Sequence, residues 1–164
     1  MMTRNIVSLS TEATEEIGRA IAAVLNPGTL VVLEGDLGAG KTALTRGIAV
    51  GLGLTSMVTS PTYTIVSEHI SGNGGTDMFH FDVYRLHDSD DFIAAGLDEY
   101  FYRGGVCVLE WGDKVENILP ENRLRIELHG NGSQRDICIT YPDVMEQPMA
   151  LIMKSLSANK EIEI

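Results

Sequence analysis

The chain has 164 residues, a net charge of −11 and two cysteines. That length suits one domain with a real core, and no apolar run approaches the ~18 residues of a membrane span. The acidic balance, with no basic stripe, excludes a protein that binds nucleic acid by neutralising phosphates itself. Residues 1–13 lack the apolar stretch of a secretory signal, and Cys107 and Cys138 sit in strand-like apolar runs, as small core residues do in a reducing compartment. The expectation is a cytoplasmic protein with no membrane association.

In chain order, residues 4–9 read as a short edge strand. Ser10 or Thr11 can cap the helix that follows, where Glu12, Glu15 and Glu16 suit the positive first turn. Ile17, Ile21, Val24 and Leu25 give this helix one apolar face, and Asn26-Pro27-Gly28 ends it.

Residues 30–53 then read as a buried strand, a glycine-rich loop and a helix. The loop fits G-x-x-x-x-G-K-[ST] through Gly35, Gly40, Lys41 and Thr42. Its glycines, with Gly38, let the chain approach an anion closely. Successive N–H groups at the helix N-terminus then form a concave phosphate site. Lys41 adds a mobile ammonium for the β- and γ-phosphates, and Thr42 a hydroxyl for Mg²⁺. A chance glycine-rich turn would lack the context found here: the apolar strand Leu30, Val31, Val32, Leu33 before the loop, and Leu44, Ile48 and Leu52 at helical spacing after it. The whole loop, Asp36, Leu37, Gly38, Ala39, Gly40, Lys41, Thr42 and Ala43, is the expected nucleotide contact.

Further on, residues 59–63 read as a loop entering a strand, and residues 71–77 (SGNGGTD) as a hairpin or loop tip. Residues 78–86 (MFHFDVYRL) read as a strand ending near an acid, and residues 106–109 as a buried apolar run that delivers Glu110 and Trp111, so that Asp82 and Glu110 each close an apolar run. Residues 87–101 and 113–119 carry short helical patterns. Residues 124–128 and 136–141 read as a hairpin, and residues 145–157 as a terminal helix whose tail frays. The expected division is a phosphate-loop domain over residues 1–141 and an extension over 142–164. Alternating strands and helices predict a three-layer α/β sandwich of the phosphate-loop type, a mainly parallel sheet with helices on both faces and a C-terminal antiparallel hairpin. Ligands of such sheets sit at the carboxyl ends of the strands, which brings the loop, Asp82 and Glu110 to one rim.

A magnesium ion needs a few hard oxygens. Thr42 is one, and Asp82 and Glu110 are the candidates for the rest. Either acid can hold the metal while the other orients the attacking water, so all three of Lys41, Asp82 and Glu110 count as catalytic candidates. Thr62 can set a hydroxyl near the γ-phosphate, or simply belong to a proline-initiated turn. Trp111 is the only tryptophan, either core or a partner anchor. Arg85 can pair with an acid or face phosphate. His69, His80, His87 and His129 lack metal-ligand spacing and read as ordinary polar or core histidines. No N-K-x-D signature for guanine occurs, and no arginine-rich lid of a small-molecule kinase. A small ATPase that serves a partner is the leading reading. A nucleotide-dependent binding module and a small-molecule kinase are the alternatives.

Residues 35–42 (GDLGAGKT), 60–63 (SPTY), 80–86 (HFDVYRL) and Glu110-Trp111, in this order and spacing, resemble the TsaE (YjeE) family of bacterial ATPases of tRNA threonylcarbamoyladenosine (t6A) synthesis. The resemblance runs from about residue 11 to about residue 140. Many members have proline after the Glu-Trp pair, where this chain has Gly112-Asp113. The resemblance implies binding of ATP or ADP with Mg²⁺ and action with TsaB- and TsaD-like partners, of which TsaD performs the transfer to adenosine. ATP hydrolysis would reset the TsaB–TsaD assembly, with tRNA met only indirectly through that complex. It further implies that Thr42 and Glu110 bind magnesium, that Asp82 is an additional essential acid, and that Thr11 and Arg135 touch nucleotide outside the loop.

Overall fold

Residues 1–164 are described by a computed structural model, the side chain of Asn131 excepted. The continuous apolar runs become the middle of a single sheet. Leu30–Glu34 (β2) lies between Val106–Glu110 (β5) and Arg123–Asn131 (β6), parallel to both, and Met78–Asp82 (β4) is parallel to β5. Strands buried on both faces need no polar alternation, which is why β2 and β5 read as unbroken apolar runs, whereas β6 alternates buried and half-buried residues.

Outside this centre the sheet turns antiparallel. Met2–Ser8 (β1), Val66–His69 (β3), Gln134–Tyr141 (β7) and Ile162–Glu163 (β8) complete an eight-stranded sheet in the order β3-β4-β5-β2-β6-β7-β1-β8. The β3–β4, β6–β7, β7–β1 and β1–β8 pairs are all antiparallel. The expectation of a mainly parallel sheet is corrected accordingly: the sheet is mixed, parallel at the core and antiparallel towards both edges. The helical crossovers that enforce parallel pairing join only the central strands, whereas hairpins and the chain termini supply the rest. The C-terminal hairpin is present as β6–β7. The first strand is not an edge: β7 flanks it on one side, and β8 pairs with Val7 and Ser8 on the other. Fraying is the expectation for the last residues, and it is Ile162–Glu163 that form this pairing.

One face of the sheet is covered by Thr11–Ala22 (α1), Lys41–Gly51 (α2) and Glu146–Leu156 (α4), whose Ile17, Ile21, Leu44, Ile48, Met149 and Met153 share a core with Val31, Leu33, Val108 and Ile126. The other face is covered more thinly, by Ser89–Ala94 (α3) and 3₁₀ turns at Leu97–Tyr102 and Gly112–Ile118. Phe79, Phe81, Phe92 and Phe101 fill that second core with Leu30, Val32 and Leu109. Each buried side chain of this size contributes roughly 1.5–3 kcal/mol, so short helices with aromatic filling suffice there. Helices thus lie on both faces. Among the described residues, no helix is long and apolar enough to cross a membrane.

Candidate functional site

Strand parity decides which face receives the polar ends. Met78, His80 and Asp82 alternate onto the α2 side, as do Val106, Val108 and Glu110, and Asp82 lies in register with Glu110. Leu33 is in register with Glu110 on the next strand. The carboxyl ends of β2, β4 and β5 therefore bring the glycine-rich loop and two carboxylates to the same side of the sheet. A cavity of about 640 Å³ opens there, and its walls include Thr11, Leu37, Gly38, Ala39, Gly40, Lys41, Thr42, Thr62, Asp82, Glu110 and Arg135.

The loop backbone requires its glycines. Gly40 caps α2 at φ 104°, a left-handed conformation that L side chains resist. Gly35 leaves no room for a side chain, since a Cβ there would lie 2.5 Å from the Leu128 carbonyl. Lys41 Nζ donates to the carbonyls of Gly35 and Asp36 and stands 4.0 Å from Glu110 Oε1. Its ammonium also lies 5.4 Å from the centre of the Trp111 ring. Arg135 reaches the loop from β7: its Nη1 donates to Gly132 and Gln134 carbonyls and its Nη2 to the Gly38 carbonyl at 3.2 Å.

The two acids are 4% (Asp82) and 3% (Glu110) exposed, so both are buried. Asp82 accepts from the Thr62 hydroxyl at 3.0 Å and from the Tyr84 amide at 3.0 Å. Ser60 is 2.8 Å from Thr62, oxygen to oxygen. Glu110 Oε2 accepts from His80 Nε2 at 2.8 Å. Thr42, Asp82 and Glu110 all line the cavity, and their hard oxygens are the donor set that magnesium takes. The residues present fit both a phosphate chain in the loop and a divalent ion beside it.

Backbone strain surrounds the acids. Trp111, directly after Glu110, has φ 65°, and Ile65, whose carbonyl accepts the Asp82 amide at 2.8 Å, has φ 68°. A positive φ in a β-branched residue is an outlier, of a kind that costs roughly 1–3 kcal/mol.

Two expected contacts lie elsewhere. Asp36 lines smaller cavities beside the loop, of about 330 and 410 Å³, and Ala43 is buried on α2, in neither of these nor the main cavity. Four residues join the site that the site expectation had not included. Ser60, Tyr84 and Trp111 line the cavity, the last two with ring centres 4.9 Å apart. His80 holds Glu110 from behind. Its position two residues before Asp82 on a strand was the available signal, because that spacing sets both on one face. Arg85 neither pairs with an acid nor faces the loop; it lies over the Tyr63 ring at 4.4 Å. Both cysteines are free, and burial pushes the Cys107 thiol up to about 12, which makes it unreactive.

Residues 8–137 match the model of the family described as threonylcarbamoyl adenosine biosynthesis protein TsaE. The tRNA threonylcarbamoyladenosine biosynthesis protein TsaE of Bacillus subtilis is 44% identical over 134 residues, spanning 81% of this chain and 82% of that protein. Its namesake in Treponema pallidum is 42% identical over 122 residues, 74% of this chain and 88% of the other. The crystal structure of Bacillus subtilis YdiB superposes with a TM-score of 0.76 at 34% identity, covering 94% of this chain and 98% of that one. With a family model that spans most of its length and relatives at this identity, the chain belongs to the TsaE family of tRNA threonylcarbamoyladenosine biosynthesis proteins.

Proposed function

We propose that this chain binds and hydrolyses MgATP to support turnover of a TsaB–TsaD-like assembly in t6A modification of tRNA. One observation carries the reading: a glycine-rich loop with Lys41 and Thr42 shares a cavity with two buried carboxylates, Asp82 and Glu110, from adjacent parallel strands. The family's part in t6A biosynthesis supplies the context.

In this reading the loop amides and Lys41 bind the phosphates, Lys41 exchanging the Gly35 and Asp36 carbonyls for phosphate oxygens. Thr11 and Arg135 contact the nucleotide from the rims of the cavity. Thr42 and Glu110 hold magnesium, which when bound supplies charge neutralisation at the β- and γ-phosphates. Asp82, oriented by Thr62 and the Tyr84 amide, holds the attacking water in line. Arg135 serves nucleotide contact in this reading and, among the described residues, no other arginine lines the cavity, so no finger acts in cis and turnover of the chain alone is slow. A finger supplied in trans can be worth ~10³–10⁵ in rate. The net charge of −11 suits a subunit that leaves tRNA to its partners.

Calorimetry with MgATP and phosphate release with and without the two partners test this. Lys41→Ala is expected to abolish measurable binding. Glu110→Gln is expected to retain affinity and to lose hydrolysis by at least ~100-fold, as for removal of a group that acts in the transition state. Wild-type turnover in Glu110→Gln would remove that acid from the mechanism. If the same variant sustained repeated rounds of tRNA modification, the chain would instead be a nucleotide-dependent binding module.

A further inference from the structure

Among the described residues, two buried side-chain atoms lack a hydrogen-bond partner, His69 Nε2 and His80 Nδ1. A buried polar atom without a partner is destabilising, so finding both on the same pair of strands calls for a cause. In the β3–β4 pair His69 stands opposite Met78, and His80 lies two residues along on the same face. That is the diagonal relation across which long side chains reach each other. Their nearness is also felt electrostatically: burial first, and then His80, hold the His69 imidazole below the ordinary histidine range.

The hydrogen-bond roles of the two rings can be worked out from their outer partners. A carboxylate only accepts, so the contact of 2.8 Å with Glu110 puts the hydrogen of His80 on Nε2. With that hydrogen on Nε2, Nδ1 is the ring's remaining acceptor atom. At the other end, Ser56 Oγ is 2.6 Å from His69 Nδ1. With the serine hydroxyl donating, the hydrogen of His69 sits on Nε2 and makes it a donor. The two orphaned atoms are therefore complementary, one donor and one acceptor.

We propose that His69 Nε2–H donates to His80 Nδ1, directly or through one enclosed water, completing a one-way chain Ser56→His69→His80→Glu110 that fixes the Glu110 carboxylate. His69 and His80 are positioning residues in this scheme. With Oε2 engaged by His80, Oε1, the oxygen 4.0 Å from Lys41, is the freer of the two to face the cavity. The functional consequence rests on the hydrolytic reading above, whereas the chain itself does not.

Imidazole ¹⁵N NMR of the free wild-type protein is the first test. Each ring is expected to carry its hydrogen on Nε2. A hydrogen on Nδ1 of His80 would overturn the proposal. The second test is His69→Phe. It is expected to shift the His80 ring nitrogens and to lower kcat for ATP about 10-fold, within the range for groups that orient a metal ligand, while KM stays within about twofold. His69→Gln, whose amide nitrogen overlays Nε2, is expected to restore most of the rate. Unmoved His80 resonances in His69→Phe would sink the chain. A wild type with the expected tautomers that releases no phosphate would support the chain and refute hydrolysis, so the two ideas fail separately.

Discussion

His69 is a buried imidazole that the fold keeps from charging, and this has a measurable sign. Its pKa is depressed in the native state, by burial and then by His80, while in the unfolded chain it returns to about 6.5. Between the native value and ~6.5 the unfolded state binds the extra proton. Its contribution to stability is therefore fully present above pH ~6.5 and is lost as pH falls through that window. The urea midpoint of the wild type is expected to fall between pH 7.5 and 5.5, and His69→Gln is expected to lose that part of the fall. Equal falls in both proteins would assign the acid sensitivity to other groups.

Helices α1 and α2 are brought together by glycines, and this sets how close Thr11 comes to the loop. A Cβ on Gly47 would lie 2.0 Å from the Glu15 carbonyl oxygen, and one on Gly18 2.2 Å from that of Leu44. Both obstacles are backbone and cannot swing away. Gly47→Ala pits two effects against each other. Alanine gains up to ~1 kcal/mol of helix propensity, but the clash forces the helices apart at an overpacking cost of ~1–3 kcal/mol or more. The clash wins, so the variant is expected to be less stable by about 1–2 kcal/mol in chemical denaturation. Because Thr11 opens α1 and Lys41 opens α2, weaker nucleotide binding should accompany the loss. A variant as stable as wild type would mean that the helix pair is free to separate.

For the molecule as a whole, the last residues close the sheet and one of its cores. Met149, Met153 and Leu156 of α4 and Ile162 of β8 are buried. The Leu9 amide donates to the Glu161 carbonyl at 2.9 Å, and Tyr141 donates to Glu146, which also pairs with Arg4. The Tyr141 hydrogen bond and the Arg4 charge together hold the Glu146 carboxyl below its usual range. We propose that residues 142–164 unfold together with residues 1–141 as one cooperative unit. Removing them uncovers several side chains worth roughly 1.5–3 kcal/mol each before entropy is subtracted, and is expected to lower Tm by about 10 °C. An unchanged Tm, or two separate thermal transitions in the full chain, would make the segment an independent appendage.

The sequence by itself determined the loop and its backbone conformation, because G-x-x-x-x-G-K-[ST] is contiguous and its backbone demands are local. It also picked out the acids that close β4 and β5, since a short apolar run followed by an acid can be read without knowing its neighbours, although it carried β4 on to residue 86 where the strand stops at Asp82. Residue parity within MFHFD even implied that His80 and Asp82 share a face. Only the tertiary structure decided which strands touch. The order β3-β4-β5-β2-β6-β7-β1-β8 follows from which apolar faces bury one another, and no local pattern encodes that. Hence the sheet was read as mainly parallel, with its C-terminal hairpin antiparallel, and β1 as an edge. Hence also a histidine without metal-ligand spacing passed for an ordinary core residue, when parallel pairing of β4 with β5 sets its Nε2 against Glu110. Local periodicity specifies a segment and its faces; long-range burial selects the partner, and the site consists of partners.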